Sequence, residues 1–366
     1  MKALALLSGG LDSILATKLV LDQGIEVVAV KFILPIISEK RDYAEGIAKK
    51  FGIPLIQVEV GEEYLDVIRN PRYGYGSGMN PCIDCRIYML REAKRIAKEV
   101  GAKFIVTGDV LGERPMSQHR KALELEEKEA GLENLILRPL SAKLLPETIP
   151  EREGWVDRSK LLDIRGRSRK PQIALAETFG LHEDYPSPSG GCLLTYKEFA
   201  SKIRDLFEHK EEVTKRDISL LKIGRHFRIA SSKIIVGRNE EENKLLLELK
   251  NPGDYVFEVP GFGSPITILE GPKSKEAIEL AAKLTARYSD AGAKEKEISV
   301  EYKPLQGLRV SPSGKPFQGF RGRGRSPRCG GTGGARDGAE PHRNGEKKAR
   351  IIVSPLDENE IARLRI

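Results

Sequence analysis

The sequence has few cysteines, one tryptophan and no long hydrophobic run. Its 366 residues include only 4 Cys, too few for a fold held together by disulfides. The first apolar stretch, residues 3–7, is too short for a signal peptide or a membrane span. Hydrophobic residues still make up 40% of the chain, which is enough for ordinary cores. We therefore expect two or three globular domains, no membrane association and a cytoplasmic location.

Positive charge is concentrated near the C-terminus. The net charge is +8, and residues 301–350 alone carry 12 Lys/Arg against 4 Asp/Glu. Arg321, Arg323 and Arg325 alternate with glycine there, a pattern typical of segments that bind RNA without reading its sequence. We predict disorder over residues 305–349 and a strand at residues 351–353. The tail is either an RNA-binding segment or a solvated extension, and composition does not separate the two.

Strand and helix patterns alternate through the first 110 residues. Short apolar segments predict strands, and amphipathic segments that end at glycine predict helices. The predicted strands are residues 3–7, 27–33, 54–60 and 103–106, and the predicted helices are residues 11–23, 39–51 and 83–100. This alternation predicts an α/β fold with a doubly wound parallel sheet. Ligands of such folds bind outside the carboxyl ends of the strands.

The second half of the chain has a different pattern. A helix is predicted from residue 197 to about 215, short strands with turns over residues 225–269, and a helix over residues 274–288. These features predict a second, smaller α+β domain. The expected division is a nucleotide-binding domain at residues 1–196, an α+β domain at residues 197–303, and a basic Gly/Arg-rich tail, largely disordered, at residues 304–366.

A glycine-rich turn follows the first predicted strand. It reads Ser8-Gly9-Gly10-Leu11-Asp12-Ser13 and opens a helix. Glycines allow close backbone approach to a phosphate, and a helix N-terminus offers free amides and a positive dipole end. Asp12 suits such a site if Mg²⁺ accompanies the phosphates. An ordinary strand-to-helix turn is the structural alternative. The turn lacks the Gly-Lys-Ser/Thr ending of a Walker loop and the G-x-G-x-x-G of a dinucleotide site.

Three cysteines occur in suggestive contexts. Cys82 and Cys85 form a Cys-x-x-Cys pair at the start of the long helix, and Cys192 follows Ser187-Pro188-Ser189-Gly190-Gly191. We expect the helix N-terminus to favour thiolates at the pair. The three thiols either hold an iron–sulfur cluster with one open iron, or Cys85 and Cys192 act as persulfide carrier and resolving thiol. A zinc site would need a fourth ligand, and burial as small hydrophobes is the structural alternative.

A basic segment lies between the glycine-rich turn and Cys192. Residues 157–170 carry six Lys/Arg against two Asp. Arg165, Arg167 and Arg169 alternate, so in an extended segment they would face the same way. We predict that they contact RNA phosphates; a solvated loop is the alternative.

Residues 85–118, CRIYMLREAKRIAKEVGAKFIVTGDVLGERPMSQ, resemble the PP-loop domain of the tRNA 4-thiouridine synthases. SGGLDS resembles the PP-loop signature of enzymes that split ATP between the α- and β-phosphates, and Arg138-Pro139-Leu140 resembles a later motif of the synthases. NPCIDC resembles the tRNA 2-thiouridylases, in which Asn-Pro precedes the first catalytic cysteine. The resemblance covers roughly residues 1–195 and implies an adenine nucleotide alpha hydrolase-like fold.

The resemblance also implies a reaction and its residues. ATP adenylates a uracil carbonyl of tRNA, and a sulfur nucleophile then displaces AMP to give 4-thiouridine or 2-thiouridine. Ser8, Gly9, Gly10, Asp12 and Ser13 would bind the phosphates, with Asp12 acting through Mg²⁺. The remaining nucleotide-binding residues implied are Thr107, Gly108, Asp109 and Gln118. Cys85 and Cys192 would be the first and second catalytic thiols, or Cys82, Cys85 and Cys192 would hold a [4Fe–4S] cluster.

The expected partners are tRNA and a sulfur donor, either sulfide or a cysteine desulfurase or sulfur carrier. The extra Cys82 favours the cluster over a simple persulfide. We see no RNA-capture domain before the loop at residue 8 and no rhodanese-like domain, so the target base and the donor stay open. The oligomeric state also stays open, with a dimer as one option.

Residues 225–302 resemble the RNA-binding domain of NFACT proteins. The matching positions are Phe227, Gly237, Arg238, Asn239, Asn243, Gly261, Gly263, Ser264, Ala281, Ala282, Tyr288 and Ser289. The resemblance implies that RNA capture lies on the C-terminal side. Two other functions stay open: a PP-loop ATP pyrophosphatase acting on a small molecule, and a non-catalytic RNA-binding factor associated with ribosomes.

Overall fold

The computed structural model describes residues 1–37, 42–182, 184–186, 191–304 and 348–366. It divides into two compact units, Met1–Lys222 and Ile223–Ile366. Of the segment predicted to be disordered, residues 305–349, residues 305–347 lie outside the described residues, as does the turn at residues 187–190. Residues 348 and 349 are described, and Ala349 begins a strand. No helix in the described ranges is long and apolar enough to cross a membrane.

The first unit alternates strands and helices as predicted. Its elements are β1 (Lys2–Leu6), α1 (Leu11–Leu21), β2 (Glu26–Ile33), α2 (Tyr43–Phe51), β3 (Leu55–Glu59), α3 (Glu63–Arg69), α4 (Cys82–Val100), β4 (Phe104–Val106), α5 (Arg120–Ala130), β5 (Ile136–Leu137), α6 (Ile149–Arg152), α7 (Lys170–Thr178), α8 (Lys197–His209) and α9 (Lys215–Leu221). The five strands pair in parallel in the order β3-β2-β1-β4-β5. The predicted doubly wound sheet is confirmed.

Successive residues of the central strands are buried alternately in two separate hydrophobic cores. Leu4 lies in a core with apolar residues of α3, α4, α8 and α9, whereas Ala3 and Ala5 lie in a core with residues of α1, α2 and α7. A strand buried on both faces needs apolar residues at every position, which is why β1 and β2 read as continuous hydrophobic runs. The sheet therefore has helices on both faces, and its loops converge at the carboxyl edge.

Helices α8 and α9 belong to the first unit. Phe199, Ile203 and Ile218 are buried in the core with α3 and α4. The division between units accordingly falls after residue 222, later than residue 196, where the sequence analysis places it. The single helix predicted over residues 197–215 is wrong in extent, because α8 ends at His209 and Thr214 caps α9 with its side chain.

The second unit contains an antiparallel sheet. Its elements are β6 (Arg225–Ile229), β7 (Ser232–Val236), α10 (Glu240–Leu249), β8 (Tyr255–Glu258), β9 (Thr267–Glu270), α11 (Lys275–Arg287), β10 (Ile298–Pro304), β11 (Ala349–Val353) and α12 (Glu358–Leu364). The strand order is β11-β10-β8-β9-β7-β6. The α+β class and the strand at residues 351–353 are confirmed. The sequence analysis missed α10, whose first turn is capped by Asn239.

Candidate active site

The glycine-rich turn follows β1 at the carboxyl edge of the parallel sheet. Gly9 has φ +82°, a left-handed conformation that favours glycine. A Cβ at this position would lie 2.9 Å from the backbone nitrogen of Ala44. The turn therefore packs against the start of α2 in a way that only glycine permits. We call residues 8–13 the phosphate loop.

Helix α1 begins inside the phosphate loop. Its N-cap residue, Gly10, supplies no side-chain cap. The Ser13 hydroxyl donates to the Gly10 carbonyl at 2.8 Å and lies 3.2 Å from the Ser8 hydroxyl. An uncapped helix N-terminus leaves its first amides available to an anion. The local geometry therefore suits phosphate binding, as predicted from the sequence.

Gly108, just after β4, packs against the start of α1. A Cβ there would overlap the backbone nitrogen of Ser13 and lie 2.6 Å from the carbonyl carbon of Asp12. Since β1 and β4 are neighbours in the sheet, Gly108 sets the distance between the carboxyl end of β4 and the phosphate loop.

We expect Gly108→Ala to lower the free energy of unfolding by about 1–3 kcal/mol, the usual cost of overpacking. The methyl group would push α1 away from β4 and so also weaken ATP binding. Gly46→Ala is the control, because an added Cβ in that part of α2 meets nothing within 4 Å. We expect this control to be as stable as the parent or up to about 1 kcal/mol more stable. Urea unfolding measures both, and equal stability of the two variants would contradict the expectation.

A cluster of polar side chains beside the phosphate loop contains buried atoms without hydrogen-bond partners. These atoms are Asp12 Oδ1, Glu113 Oε2, Arg169 Nε, and Gln172 Nε2 and Oε1. Burial raises the pKa of Asp12, and Arg169 offsets part of the rise. Burial and the charge of Asp12 also raise the pKa of Glu113. Buried polar groups without partners are costly, so this cluster has the chemistry of a site completed by a ligand.

Asp109 is the centre of a second network of hydrogen bonds and ion pairs. Its carboxylate accepts hydrogen bonds from Thr107 Oγ1 at 2.7 Å, Gln118 Nε2 at 3.2 Å and Arg86. Arg138 Nε lies 3.6 Å away. Burial alone would raise the pKa of Asp109, but Arg86 and Arg138 hold it below its ordinary value. Asp109 therefore fixes the chain at the strand ends, and its oxygens are occupied by protein donors.

The three cysteines lie on two segments that pack together. Cys82 and Cys85 are at the start of α4, and Cys192 follows the loop that returns to the sheet. The amide of Met79 donates to the Leu194 carbonyl at 3.0 Å, and the amide of Leu193 donates to the Ile36 carbonyl at 3.0 Å. These backbone bonds hold the Cys192 segment against the loop before α4.

Each of the two α4 thiols accepts a hydrogen bond. Tyr64 Oη donates to Cys85 Sγ at 3.0 Å, and Asn80 Nδ2 donates to Cys82 Sγ at 3.1 Å. Tyr64 is fully buried on α3, a helix that was not predicted from the sequence. Sulfur atoms that accept hydrogen bonds are held in fixed orientations, and all three thiols are free.

The predicted thiolate character of the pair is wrong for Cys85. Burial raises the pKa of Cys85 to about 12, although the Tyr64 hydroxyl opposes the rise. The nearby Cys192 and Cys82 raise it further. Burial also raises the pKa of Cys192. The helix N-terminus does not compensate for desolvation here, so these thiols are neutral until a metal or a sulfur species replaces the proton.

Arg114 connects the two clusters. It lowers the pKa of Asp12 at the phosphate loop and the pKa of Cys192 among the thiols. Its side chain is exposed. The Cys192 segment is also bonded to Ile36, just after β2, and the phosphate loop follows β1, the neighbour of β2 in the sheet. The phosphate loop and the Cys192 segment therefore lie at the same edge of the sheet.

The side chains at the site suit a cluster better than a single ion held by three ligands. Within the described ranges, no three His, Cys, Asp or Glu side chains converge closely enough to hold a single ion. A [4Fe–4S] cluster places its thiolates on different irons, and the three neighbouring thiols suit that group. The unpartnered oxygens of Asp12 and Glu113 are of the type that Mg²⁺ prefers.

Residues 1–143 match the family model of the thiamine biosynthesis protein (ThiI). Residues 224–315 match the model of the NFACT protein RNA binding domain. Each half of the chain thus carries its own family signature. We call the first unit, of which residues 1–143 match this model, the ThiI-type unit. Both resemblances seen in the sequence are confirmed.

Curated relatives of the ThiI-type unit include tRNA-modifying proteins. A probable tRNA sulfurtransferase of Thermococcus kodakarensis is 35% identical over 121 residues, which are 31% of this chain and 30% of that protein. The tRNA-specific 2-thiouridylase MnmA of Xanthobacter autotrophicus is 26% identical over 218 residues, 55% of this chain and 53% of that protein. The chain spans about half or less of the length of these relatives.

Two solved structures are similar over part of the chain. A 4-thiouridine synthetase–RNA complex with bound ATP is 22% identical, with a TM-score of 0.35, and the match covers 60% of this chain and 52% of that one. The U34-tRNA thiolase NcsA from Methanococcus maripaludis, with its [4Fe-4S] cluster, is 20% identical, with a TM-score of 0.31, and the match covers 57% and 65% of the two chains.

The ThiI-type unit brings together most of the residues singled out in the sequence. The phosphate loop, Gly108 and the Cys192 segment lie at the carboxyl edge of the sheet, whereas Thr107, Asp109 and Gln118 are buried and bonded to one another. Arg169 faces Asp12, while Arg165 and Arg167 are exposed. Sequence reasoning missed Tyr64, Arg86, Glu113 and Arg114. Arg86, Glu113 and Arg114 lie within residues 85–118, which carry the resemblance, whereas Tyr64 lies in no motif.

Glu126 gives the ThiI-type unit a pH-dependent stability. Its carboxyl is completely buried, with Arg86 Nε 3.6 Å away. Burial raises its pKa to about 8 from 4.5, although Arg86 opposes the rise. The folded state therefore keeps a proton that the unfolded chain releases, and this contribution to stability is lost as the pH rises toward 8.

We expect the free energy of unfolding to fall between about pH 5 and pH 8 by roughly 1 kcal/mol per pH unit on account of Glu126. Glu126→Gln should flatten this decline. Glu124→Gln, on the exposed side of α5, should not change it. Urea unfolding at several pH values measures the slope. An unchanged slope in Glu126→Gln would show that Glu126 is ionised in the folded state throughout.

Proposed function

We propose that the protein is an ATP-dependent tRNA sulfurtransferase that converts a uridine of tRNA to 4-thiouridine or 2-thiouridine. The observation that carries the proposal is a phosphate loop after β1, with three free thiols of which Cys192 lies on a segment bonded to the end of the neighbouring strand β2. Phosphate binding alone would suit any ATP-splitting enzyme. Thiols beside it suit one that activates a carbonyl and then replaces its oxygen with sulfur.

The first step activates the base. A uracil carbonyl oxygen attacks the α-phosphorus of ATP, the bond to the β-phosphate bridging oxygen breaks, and pyrophosphate leaves with the electron pair while N3 of the base loses its proton. The first-turn amides of α1 and the hydroxyls of Ser8 and Ser13 would bind the phosphates. Arg114 and Arg169 would stabilise the negative charge that develops on the leaving pyrophosphate.

The second step transfers sulfur. A sulfur nucleophile attacks the activated carbon, the carbon–oxygen bond breaks, and AMP leaves. If a persulfide on Cys85 or Cys192 carries the sulfur, its terminal sulfur bonds to the carbon as AMP leaves. The other thiol then attacks the cysteine sulfur, the persulfide S–S bond breaks, the thiouridine leaves, and the two cysteines form a disulfide. An external thiol must then reduce that disulfide.

Two metal groups belong to the proposal. Asp12 and Glu113 would hold Mg²⁺, which would neutralise charge on the phosphates. Cys82, Cys85 and Cys192 would hold a [4Fe–4S] cluster, which would supply an open iron position for sulfide. Tyr64 and Asn80 would keep the sulfurs of Cys85 and Cys82 oriented toward it. The persulfide route uses the same thiols without the cluster.

The partners follow from this chemistry. The second unit would capture tRNA, as the matched domain name suggests, and the exposed Arg165 and Arg167 would add phosphate contacts. The sulfur donor would be sulfide or a persulfide-bearing protein. Free thiols suit a reducing cytoplasm.

The test is a reconstituted reaction with tRNA, ATP, Mg²⁺ and sulfide, using protein purified without oxygen. We expect pyrophosphate release that requires tRNA, and a thiouridine in the digested product, identified by mass spectrometry. Pyrophosphate release without any need for tRNA would favour a small-molecule ATP pyrophosphatase. RNA binding without pyrophosphate release would favour a non-catalytic RNA-binding factor.

Iron and acid-labile sulfide assays on the same preparation decide between cluster and persulfide. Iron that is present in the parent and lost in Cys82→Ala would support the cluster. An iron-free parent that thiolates tRNA only when a persulfide-bearing donor protein replaces sulfide would leave the persulfide route.

A further inference from the structure

A rigid loop joins β8 to β9 in the second unit. The Ser264 hydroxyl accepts from the Val259 amide at 2.9 Å and closes the loop on itself. The Asn243 side chain accepts from the Ile266 amide at 2.9 Å. The Asp290 amide donates to the Gly263 carbonyl at 2.8 Å. The loop is therefore held by α10 on one side and by the segment after α11 on the other. We call residues 260–264 the presenting loop.

Glycines make these attachments possible. A Cβ at Gly237 would overlap the amide oxygen of Asn243, and a Cβ at Gly263 would overlap the carboxylate of Asp290. Gly261 has φ +81°, which favours glycine for conformational reasons. Five of the positions that resemble NFACT proteins, Gly237, Asn243, Gly261, Gly263 and Ser264, thus build or anchor the presenting loop.

Phe262 is what the presenting loop displays. Its side chain is 40% exposed, whereas the residues on either side are glycines. In the described part of the unit, no aromatic ring or cation stacks on the Phe262 ring. An exposed aromatic side chain on a loop fixed by side-chain hydrogen bonds is costly for a surface that only meets water, and it is the usual means of stacking an unpaired base.

A cationic side chain of β6 supports nucleic acid as the partner. The guanidinium of Arg225 lies over the Tyr288 ring, 4.4 Å from its centroid. Tyr288 precedes Asp290, which anchors the presenting loop, by two residues. Arg225 has no carboxylate partner among the described residues, and the ring holds its guanidinium in place. A fixed, uncompensated arginine is suited to a backbone phosphate.

We propose that Phe262 stacks on an unpaired base of the bound RNA and that the presenting loop exists to hold it there. This inference rests on the RNA partner proposed above and adds the mode of recognition. Stacking on one aromatic ring is tolerant of sequence, so the loop would capture single-stranded or splayed nucleotides and leave the choice of uridine to the ThiI-type unit.

The test uses the full chain and fluorescent single-stranded oligouridine, with tRNA in parallel. We expect Phe262→Ala to weaken binding roughly 5- to 150-fold, the range for loss of one base–aromatic stack. Phe262→Trp should retain affinity, and Phe262→Leu should lose it because leucine has no π face. The salt dependence should stay unchanged in all three, since no phosphate contact is removed. Ile352→Ala, which removes another exposed hydrophobic side chain of this unit, is the matched control.

A direct optical readout complements the affinities. Trp155 is the single tryptophan of the chain, so the double variant Trp155→Phe, Phe262→Trp carries its reporter only in the presenting loop. Stacking predicts quenching of this tryptophan by oligouridine.

The outcomes separate the two proposals. Parent protein that binds RNA, with Phe262→Ala or Phe262→Leu equally tight, would overturn the stacking proposal and leave the RNA partner intact. Parent protein that binds no RNA would overturn both. Unchanged RNA affinity combined with loss of self-association or of a protein partner in Phe262→Ala would assign the loop to protein docking instead.

Discussion

Asp12→Asn is expected to reduce pyrophosphate release at least about 100-fold while leaving the fold intact. Asp12 opens the first turn of α1, and its Oδ1 is buried without a protein partner. An amide keeps the shape of the side chain but removes the charge that a phosphate-bound Mg²⁺ requires. We expect Asp12→Asn to lower the catalytic rate by a larger factor than it lowers the ATP affinity measured without Mg²⁺, because the metal mainly stabilises charge on the leaving pyrophosphate.

The matched control for this variant is Asp22→Asn. Asp22 is the C-cap residue of the same helix and pairs with Lys18, so its replacement tests the charge of α1 away from the phosphate loop. We expect unchanged pyrophosphate release. Titration with Mg²⁺ gives a second readout, since Asp12→Asn should abolish most of the Mg²⁺ dependence of ATP affinity. An Asp12→Asn protein with at least a third of the parent rate would exclude Asp12 from the reaction.

Cys192→Ser is expected to separate the two halves of the reaction. Pyrophosphate release should stay within about threefold of the parent, whereas thiouridine formation should fall at least about 1,000-fold. Serine preserves the hydrogen bonds of the segment, which use backbone atoms of residue 192 and its neighbours. It cannot carry a persulfide or serve as a soft ligand for iron. The measurement pairs a pyrophosphate assay with mass spectrometry of nucleosides from the same reaction.

Cys329→Ser is the control for the loss of a thiol in general. We expect both halves of the reaction to be unaffected in it, because Cys329 belongs to the Gly/Arg-rich segment of the sequence and to none of the motifs. If Cys192→Ser lost pyrophosphate release in parallel with thiolation, Cys192 would act in binding or folding and not in sulfur transfer. If it still thiolated tRNA, the site of sulfur transfer would lie elsewhere.

The two variants together test the order of the two half-reactions. Asp12→Asn should block both half-reactions, because adenylation comes first. Cys192→Ser should block only the second. Any other pattern of effects would contradict a reaction in which activation of the base precedes sulfur transfer, even if both residues proved essential.

Sequence reasoning reached the phosphate loop because its chemistry is local. Strand, glycines and helix start are consecutive in the chain, and each residue type has a backbone reason to be there. Cys82 and Cys85 were found for the same reason. The thiol pKa was predicted in the wrong direction, because the helix N-terminus is visible in the sequence while the burial of Cys85 under Tyr64 and the neighbouring thiols is not.

The helices that were missed show the same limit. Helix α10 has three glutamates in its first turn and only one fully buried leucine, so its periodicity was weak beside the strong strand patterns around it. Helix α3 lies in a segment whose following residues are rich in glycine and proline. In both cases tertiary packing, and not local preference, decides the helix.

By itself, the sequence determined the alternation of strands and helices, the phosphate loop, the Cys-x-x-Cys pair and the two family resemblances. Periodicity and short motifs record local backbone requirements. Only the tertiary structure decided that the Cys192 segment packs beside the loop before α4, that this segment and the phosphate loop lie at the same edge of the sheet, and that Asp109 is bonded to protein donors. It also decided that the β8–β9 loop presents Phe262. These relations depend on which segments meet at the sheet edge and on burial, and neither quantity is a property of neighbouring residues in the chain.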